Sequence, residues 1–118
     1  MADTPRMMVT KEQDVFVVEL TDRKILDEVS IMQIGEQLTS LIADELSPRL
    51  LVDFVNVGHL SSSALGLLIK LLKQVREKKG QLALCNIQPQ IYEVFTITRL
   101  SDMLTIKKSR SEALASMQ

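Results

Sequence analysis

The sequence predicts a single α/β domain, and three observations carry that prediction. Short apolar runs rich in β-branched residues, "VFVVEL" (15–20), "LLVDFV" (50–55) and "LALCNI" (82–87), alternate with longer stretches whose apolar residues recur every three or four positions. The central runs are continuously apolar, as expected of strands covered on both faces. Strand and helix follow each other repeatedly, the order that builds a parallel sheet with helices packed on it. The expected architecture is a mixed, mostly parallel sheet of four to five strands with about four helices, one domain over residues 1–118 with an ordered core over about 7–114.

The totals agree with one ordinary domain and narrow its chemistry. A chain of 118 residues, 46% hydrophobic and 25% charged, can bury a core without disulfides or metal. Fourteen basic against fifteen acidic side chains produce no field that would gather nucleic acid or an anionic membrane. One cysteine, Cys85, allows no intrachain disulfide, and with one histidine it cannot make a zinc site alone. No apolar run reaches the roughly 18 residues of a membrane span, and "MADTPRMMV" lacks a signal-peptide core, so a cytoplasmic protein is expected.

Taken in order, residues 1–6 read as a loose end, and "MMVT" pairs as an antiparallel neighbour of "VFVVEL" through "KEQD" as the hairpin loop. "SIMQ" fits a capping box, with Ser30 as N-cap and Gln33 reaching back. Ile31, Ile34, Leu38, Leu41 and Ile42 then form one helical face, and Ser47 before Pro48 ends that helix. "LLVDFV" is the next strand, with Asp53 in a hydrogen-bonding role. A helix follows over about 62–79, and Gly80 takes the left-handed position beyond its end. "LALCNI" is a buried strand in which Cys85 is an inert thiol. Pro89 opens the helix "PQIYEVFTIT", "MLTI" is a last short strand, and "SRSEALASM" is a frayed terminal helix. The charges of "KKSRSEAL" read as a mixed surface.

The stretch "NVGHLSSS" joins a strand end to a helix start at the carboxyl edge of the sheet, where α/β proteins place their sites. Ser61 or Ser62 serves as N-cap, which accounts for one serine of three. The stretch has no G-x-x-x-x-G-K-[ST], so a P-loop is excluded. At about 100° per residue, Ala64, Leu68, Leu71, Leu72 and Val75 cluster on one helical face with Leu65 at its edge. Ser62, Gly66, Ile69 and Lys73 form a stripe on the other. A glycine within a helix costs about 1 kcal/mol relative to alanine. Gly66 therefore serves either a partner's close approach or tight packing within the domain. His59 lies near Ser61, but without an orienting acid it makes no catalytic triad.

From "LLVDFVNVGHLSSSALG" to "LSDMLTI", and back through residues 15–27, the chain resembles the STAS domain of bacterial anti-sigma factor antagonists. In that family a strand leads into a D-S-S-G-L-G turn, then a helix, a strand and a Pro-started helix. The first serine of the turn is phosphorylated by the cognate anti-sigma factor, a GHKL-type serine kinase. A PP2C-type phosphatase reverses this, and only the unphosphorylated form binds the anti-sigma factor. Matching A-L-G to G-L-G places that serine at Ser62, with Ser61 and Ser63 as the alternatives; Ser61 stands where the family has Asp and Ala64 where it has Gly. Asp27, after "KIL", matches the acidic residue that the family holds near the serine turn.

The resemblance implies a non-enzymatic partner switch without cofactor or metal. Its docking surface would comprise His59, Leu60, Ser61, Ser62, Ser63, Gly66, Ile69, Lys73 and Asp27. Two other classes stay open: an assembly scaffold that is not phosphorylated, and a module binding a small ligand such as a nucleotide at the serine turn.

Overall fold

In the computed structural model, which describes residues 7–117, the expected α/β domain forms. Five strands run in the order β1 (Met7–Glu12), β2 (Val15–Leu20), β4 (Arg49–Asp53), β6 (Gln81–Cys85) and β7 (Thr105–Lys107) across one sheet. β1 is antiparallel to β2, and every other neighbouring pair is parallel. The hairpin is tighter than expected. Residues 11 and 12 stay in the strand, and only Gln13 and Asp14 turn, both in the left-handed region (φ 53° and 66°) that a two-residue hairpin requires. The expectation for residues 1–6 lies outside the described residues.

Alternation along the strands divides the core. Val18, Leu20, Leu50, Val52, Leu82 and Leu84 face α1 (Glu28–Ala43), α2 (Ser62–Glu77) and α3 (Pro89–Ile97). Val15, Val17, Leu51, Ala83 and Cys85 face the opposite way, against Ala113, Leu114 and Met117 of the C-terminal segment. The terminal helix α4 (Arg110–Ser116) is thus not frayed. Ser109 caps it, its Oγ accepting from the Glu112 amide at 3.2 Å, and Met117 just beyond it is buried.

Two further corrections concern helix ends. The N-cap of α1 is Asp27, not Ser30: Asp27 Oδ1 accepts from the Ser30 amide at 2.9 Å and Oδ2 from the Ser30 hydroxyl at 2.7 Å. Ser30 is instead buried inside the first turn, where its own carboxylate cap satisfies it. At the end of α2 the left-handed residue is Lys79 (φ 59°), not Gly80. The Lys79 amide donates to Arg76 O at 2.9 Å and the Gly80 amide to Val75 O at 2.8 Å, a Schellman motif one residue earlier than expected. Gly80 is needed for closeness rather than dihedral freedom. A Cβ there would lie 2.1 Å from the Pro48 carbonyl oxygen.

A small element unforeseen in the sequence completes the site's scaffold. β3 (Lys24–Ile25) pairs in parallel with β5 (His59–Leu60), Lys24 opposite His59 and Ile25 opposite Leu60. α1 and α2 each begin within three residues of this pair, so both helices rise from the same edge and pack on each other. A 3₁₀ turn, Leu100–Asp102, links α3 to β7.

Candidate functional site

The site begins where β4 leaves the sheet. Phe54 and Val57 are fully buried and pin the loop from within, the Val57 amide donating to Phe54 O at 2.9 Å. The amides of Gly58 and His59 both donate to Arg23 O, at 2.8 and 3.1 Å, and the Ser61 amide donates to Ile25 O at 3.0 Å. These bonds fix where α2 starts. Ser61 is its N-cap: in extended conformation (φ −85°, ψ 166°), its Oγ accepts from the Ala64 amide at 3.2 Å. That settles which serine caps. Ser61 is half-buried, whereas Ser62 and Ser63, the first two helical residues, are exposed. Amides in a first helical turn lack intrahelical acceptors, so these two hydroxyls stand at the positive end of the helix dipole.

Of the expected docking residues, His59, Ser62, Ser63, Gly66, Lys73 and Asp27 are exposed, and Leu60 and Ile69 are half-buried against the core. Gly66 has open space: a Cβ there would meet nothing within 4 Å. Its glycine is therefore not required by the domain's own packing, which removes one of the two readings of that residue. Gly66→Ala is expected to stabilise the free domain by about 1 kcal/mol. A urea midpoint that rises with unchanged slope is the expected result, and a fall would mean that Gly66 serves the fold.

Gly66 borders a groove of about 650 Å³ between α1 and α2, with Ser63 and Leu67 on one wall and Ile31, Met32 and Gly35 on the other. Met32 is 60% exposed and Val29, one turn earlier, 61%. These exposed apolar residues, of which Met32 shares the groove with Ser63, were absent from the sequence expectation, because they lie off the core face of α1. Their signal was negative: apolar residues at helical positions that the core stripe does not use. On the other side of the turn, Arg23, Lys24, His59, Asn56, Gln88 and Gln90 line a polar cleft of about 600 Å³.

Beneath the loop, on the face covered by α4, lies a polar cluster. Register sets Glu19, Asp53 and Cys85 side by side across β2, β4 and β6. Asp53 is 2% exposed. Arg110 satisfies it, Nη2 donating to Oδ2 at 2.8 Å and Nε at 3.2 Å, while Asn86 Nδ2 (2.9 Å) and the Val55 amide (3.0 Å) donate to Oδ1. Arg110 also reaches Glu19 at 3.1 Å and Glu12 at 3.7 Å. Arg110 is thus more than one charge of the mixed surface that its segment suggests. The hydrogen bond to Asp53 raises its pKa further, against the opposing pull of partial burial. The expected hydrogen-bonding role of Asp53 is met, but its cation comes from 57 residues away.

Burial and then the neighbouring Asp53 charge push the Cys85 thiol up from 9.0 to about 12, with Arg110 partly opposing. The native thiol keeps its proton where the unfolded thiol has lost it, so unfolding releases a proton between those values. Stability should accordingly be unaffected by Cys85 below about pH 9 and fall above it, by up to about 1.4 kcal/mol per pH unit. Urea denaturation of the wild type and Cys85→Ala across that range checks this. The expected difference is a steeper alkaline loss in the wild type; parallel curves would refute it.

The STAS domain family matches residues 6–113, and the chain belongs to that family. It is 30% identical over 87 residues to BtrV of Bordetella bronchiseptica, named as a candidate anti-sigma factor antagonist, covering 71% of this chain and 75% of BtrV. To the anti-sigma-B factor antagonist of Listeria monocytogenes it is 25% identical over 107 residues, 87% of this chain and 85% of that protein. An anti-sigma-factor antagonist (STAS) domain protein from Planctomyces limnophilus superposes with a TM-score of 0.85 at 25% identity, over 95% of this chain and 97% of the other. The fold is also that of the anti-sigma factor antagonist SpoIIAA. Its unphosphorylated form gives a TM-score of 0.70 at 17% identity over 93% and 94% of the two chains, and its phosphorylated form 0.72 at 18% over 95% and 99%. Among the described residues, no helix is long and apolar enough to cross a membrane.

Proposed function

We propose that this protein is an anti-sigma factor antagonist acting in the cytoplasm by docking rather than catalysis, and that phosphorylation of Ser62 switches it off. The partner is an anti-sigma factor with GHKL-type serine kinase activity, and a PP2C-type phosphatase restores the active form. The docking surface is the edge carrying His59, Leu60, Ser61, Ser62, Ser63, Gly66, Ile69, Lys73 and Asp27, extended by Val29 and Met32.

One observation supports this reading above the rest: Ser62 offers an exposed hydroxyl at the first position of α2, while its neighbour Ser61 is occupied as the cap. A phosphate on Ser62 would carry about −1.5 to −2 charges at the positive end of the helix, where the domain tolerates it. The cost falls on the partner, whose contact with a small neutral hydroxyl becomes a contact with a bulky anion. Ser61 in place of the family's Asp is consistent with this, since both residue types cap helices well. The substitution keeps the cap and removes one negative charge from beside the phosphoacceptor. The relatives' names support the antagonist role, and SpoIIAA, which shares the fold, is known in both phosphorylated and unphosphorylated forms.

Calorimetric titration with the GHKL-type anti-sigma factor of the same genome tests the proposal. Saturable binding is expected, and it should weaken when Gly66 is replaced by leucine. Binding that survives Gly66→Leu would move the interface elsewhere. No binding, together with a thermal shift by ATP or GTP, would favour a small-ligand module.

A further inference from the structure

The loop that delivers the serine turn is clamped at two successive residues by groups on the far face of the sheet. Asp53 Oδ1 accepts the Val55 amide at 3.0 Å, and Asn56 Nδ2 donates to Glu19 Oε2 and to Leu20 O, both at 3.1 Å. The carboxylates behind these bonds share one cation, Arg110, whose Nη2 lies 2.8 Å from Asp53 Oδ2 and 3.1 Å from Glu19 Oε1. Arg110 is the first residue of α4, which covers the second face of the sheet through Ala113 and Leu114. The chain of contacts therefore runs from α4 through Arg110 and two carboxylates to residues 55 and 56, and on through buried Val57 to His59 and Ser61.

We infer that Arg110 is a positioning residue for the docking edge, and that seating of α4 on one face of the sheet is coupled to partner binding at the serine turn beyond its carboxyl edge. The physical reason is the burial of Asp53. Its charge is tolerable only while it is paired, so loss of Arg110 leaves a desolvated carboxylate that must draw in water or rearrange. The acceptor held for the Val55 amide then moves. Glu19, released from the same guanidinium, holds Asn56 less firmly, and the Asn56 amide is left to rely on Leu20 O. Because coupling is reciprocal, a partner that orders the edge also tightens α4, which it does not touch. The partner arm of this inference rests on the docking reading above; the structural arm does not.

Hydrogen exchange on the free, full chain tests the structural arm without any partner. Arg110→Met should speed amide exchange about tenfold in residues 54–61 as well as in 110–116. Asn56→Ala should speed it in 54–61 alone. If Arg110→Met accelerates only 110–116, Arg110 merely anchors α4 and the inference is overturned. Arg110→Lys keeps the charge but offers a single point donor in place of the fork, and it should give an intermediate effect. Should Arg110→Met not fold, wild-type exchange in 54–61 for Arg110→Lys overturns the inference equally. With the anti-sigma factor added, wild-type α4 should exchange more slowly and Arg110→Lys should bind several-fold more weakly. If no anti-sigma factor binds, the docking reading fails while the exchange of the free chain still decides the role of Arg110.

Discussion

Ser62→Asp is expected to bind the anti-sigma factor about a hundredfold more weakly than Ser62→Ala, a difference of about 3 kcal/mol. The two variants share a fold, because Ser62 is exposed. An aspartate in the first turn of α2 is favoured by the helix dipole, so the free domain should be unchanged or up to about 1 kcal/mol more stable. The effect is therefore separable: stability rises slightly while affinity collapses. Urea denaturation and calorimetric titration of both variants provide the two readouts. Equal affinities would show that charge at this position does not gate docking.

Gly80→Ala should cost about 3 kcal/mol of stability. The added Cβ would lie 2.1 Å from the Pro48 carbonyl oxygen and 2.9 Å from the Pro48 ring. The obstacle is backbone, so no side-chain rotation relieves it. That same carbonyl accepts the Gln81 amide at 2.8 Å, the bond that opens the β4–β6 register at Arg49 and Gln81. Pushing Pro48 aside thus disturbs the start of the central strand whose other end carries Asp53 and the docking loop. A urea midpoint within experimental error of the wild type would refute the close contact. By contrast, a left-handed requirement at Gly80, the reading its place after a helix suggests, is already excluded because Lys79 occupies that conformation.

The contrast between Gly80 and Gly66 shows what the sequence could and could not reveal. Both stand out as glycines, one within a helix and one just past its end, yet Gly80 serves a close approach within the fold and Gly66 faces open space. Only three-dimensional neighbours distinguish them. Apolar patterning located α1, α2 and the central strands β2, β4 and β6 because each of those elements buries a face of its own. It passed over β3 and β5 because two residues carry no period. The capping of α1 was misplaced because Asp27 and Ser30 are both good caps three residues apart, and the carboxylate takes the outer position while the hydroxyl bonds to it.

At the site, local chemistry carried the serine turn. Caps and exposed first-turn residues are determined within a few positions, and Ser61, Ser62 and Ser63 fell where helix geometry puts them. Arg110 was illegible for the opposite reason. A buried Asp53 requires a cation, but fourteen basic residues compete for that role in the sequence, and α4 is only seven residues long. Its packing against Val17, Leu51 and Cys85 places Arg110 over Asp53, and no spacing rule anticipates that.

The most direct test of the account is the intact mass of the chain after incubation with the GHKL-type anti-sigma factor and ATP, followed by mapping of the modified peptide. The account predicts a single phosphate, located on Ser62 and absent from Ser62→Ala. A chain that binds the kinase yet gains no phosphate, or gains it on Ser61 or Ser63 alone, would contradict it.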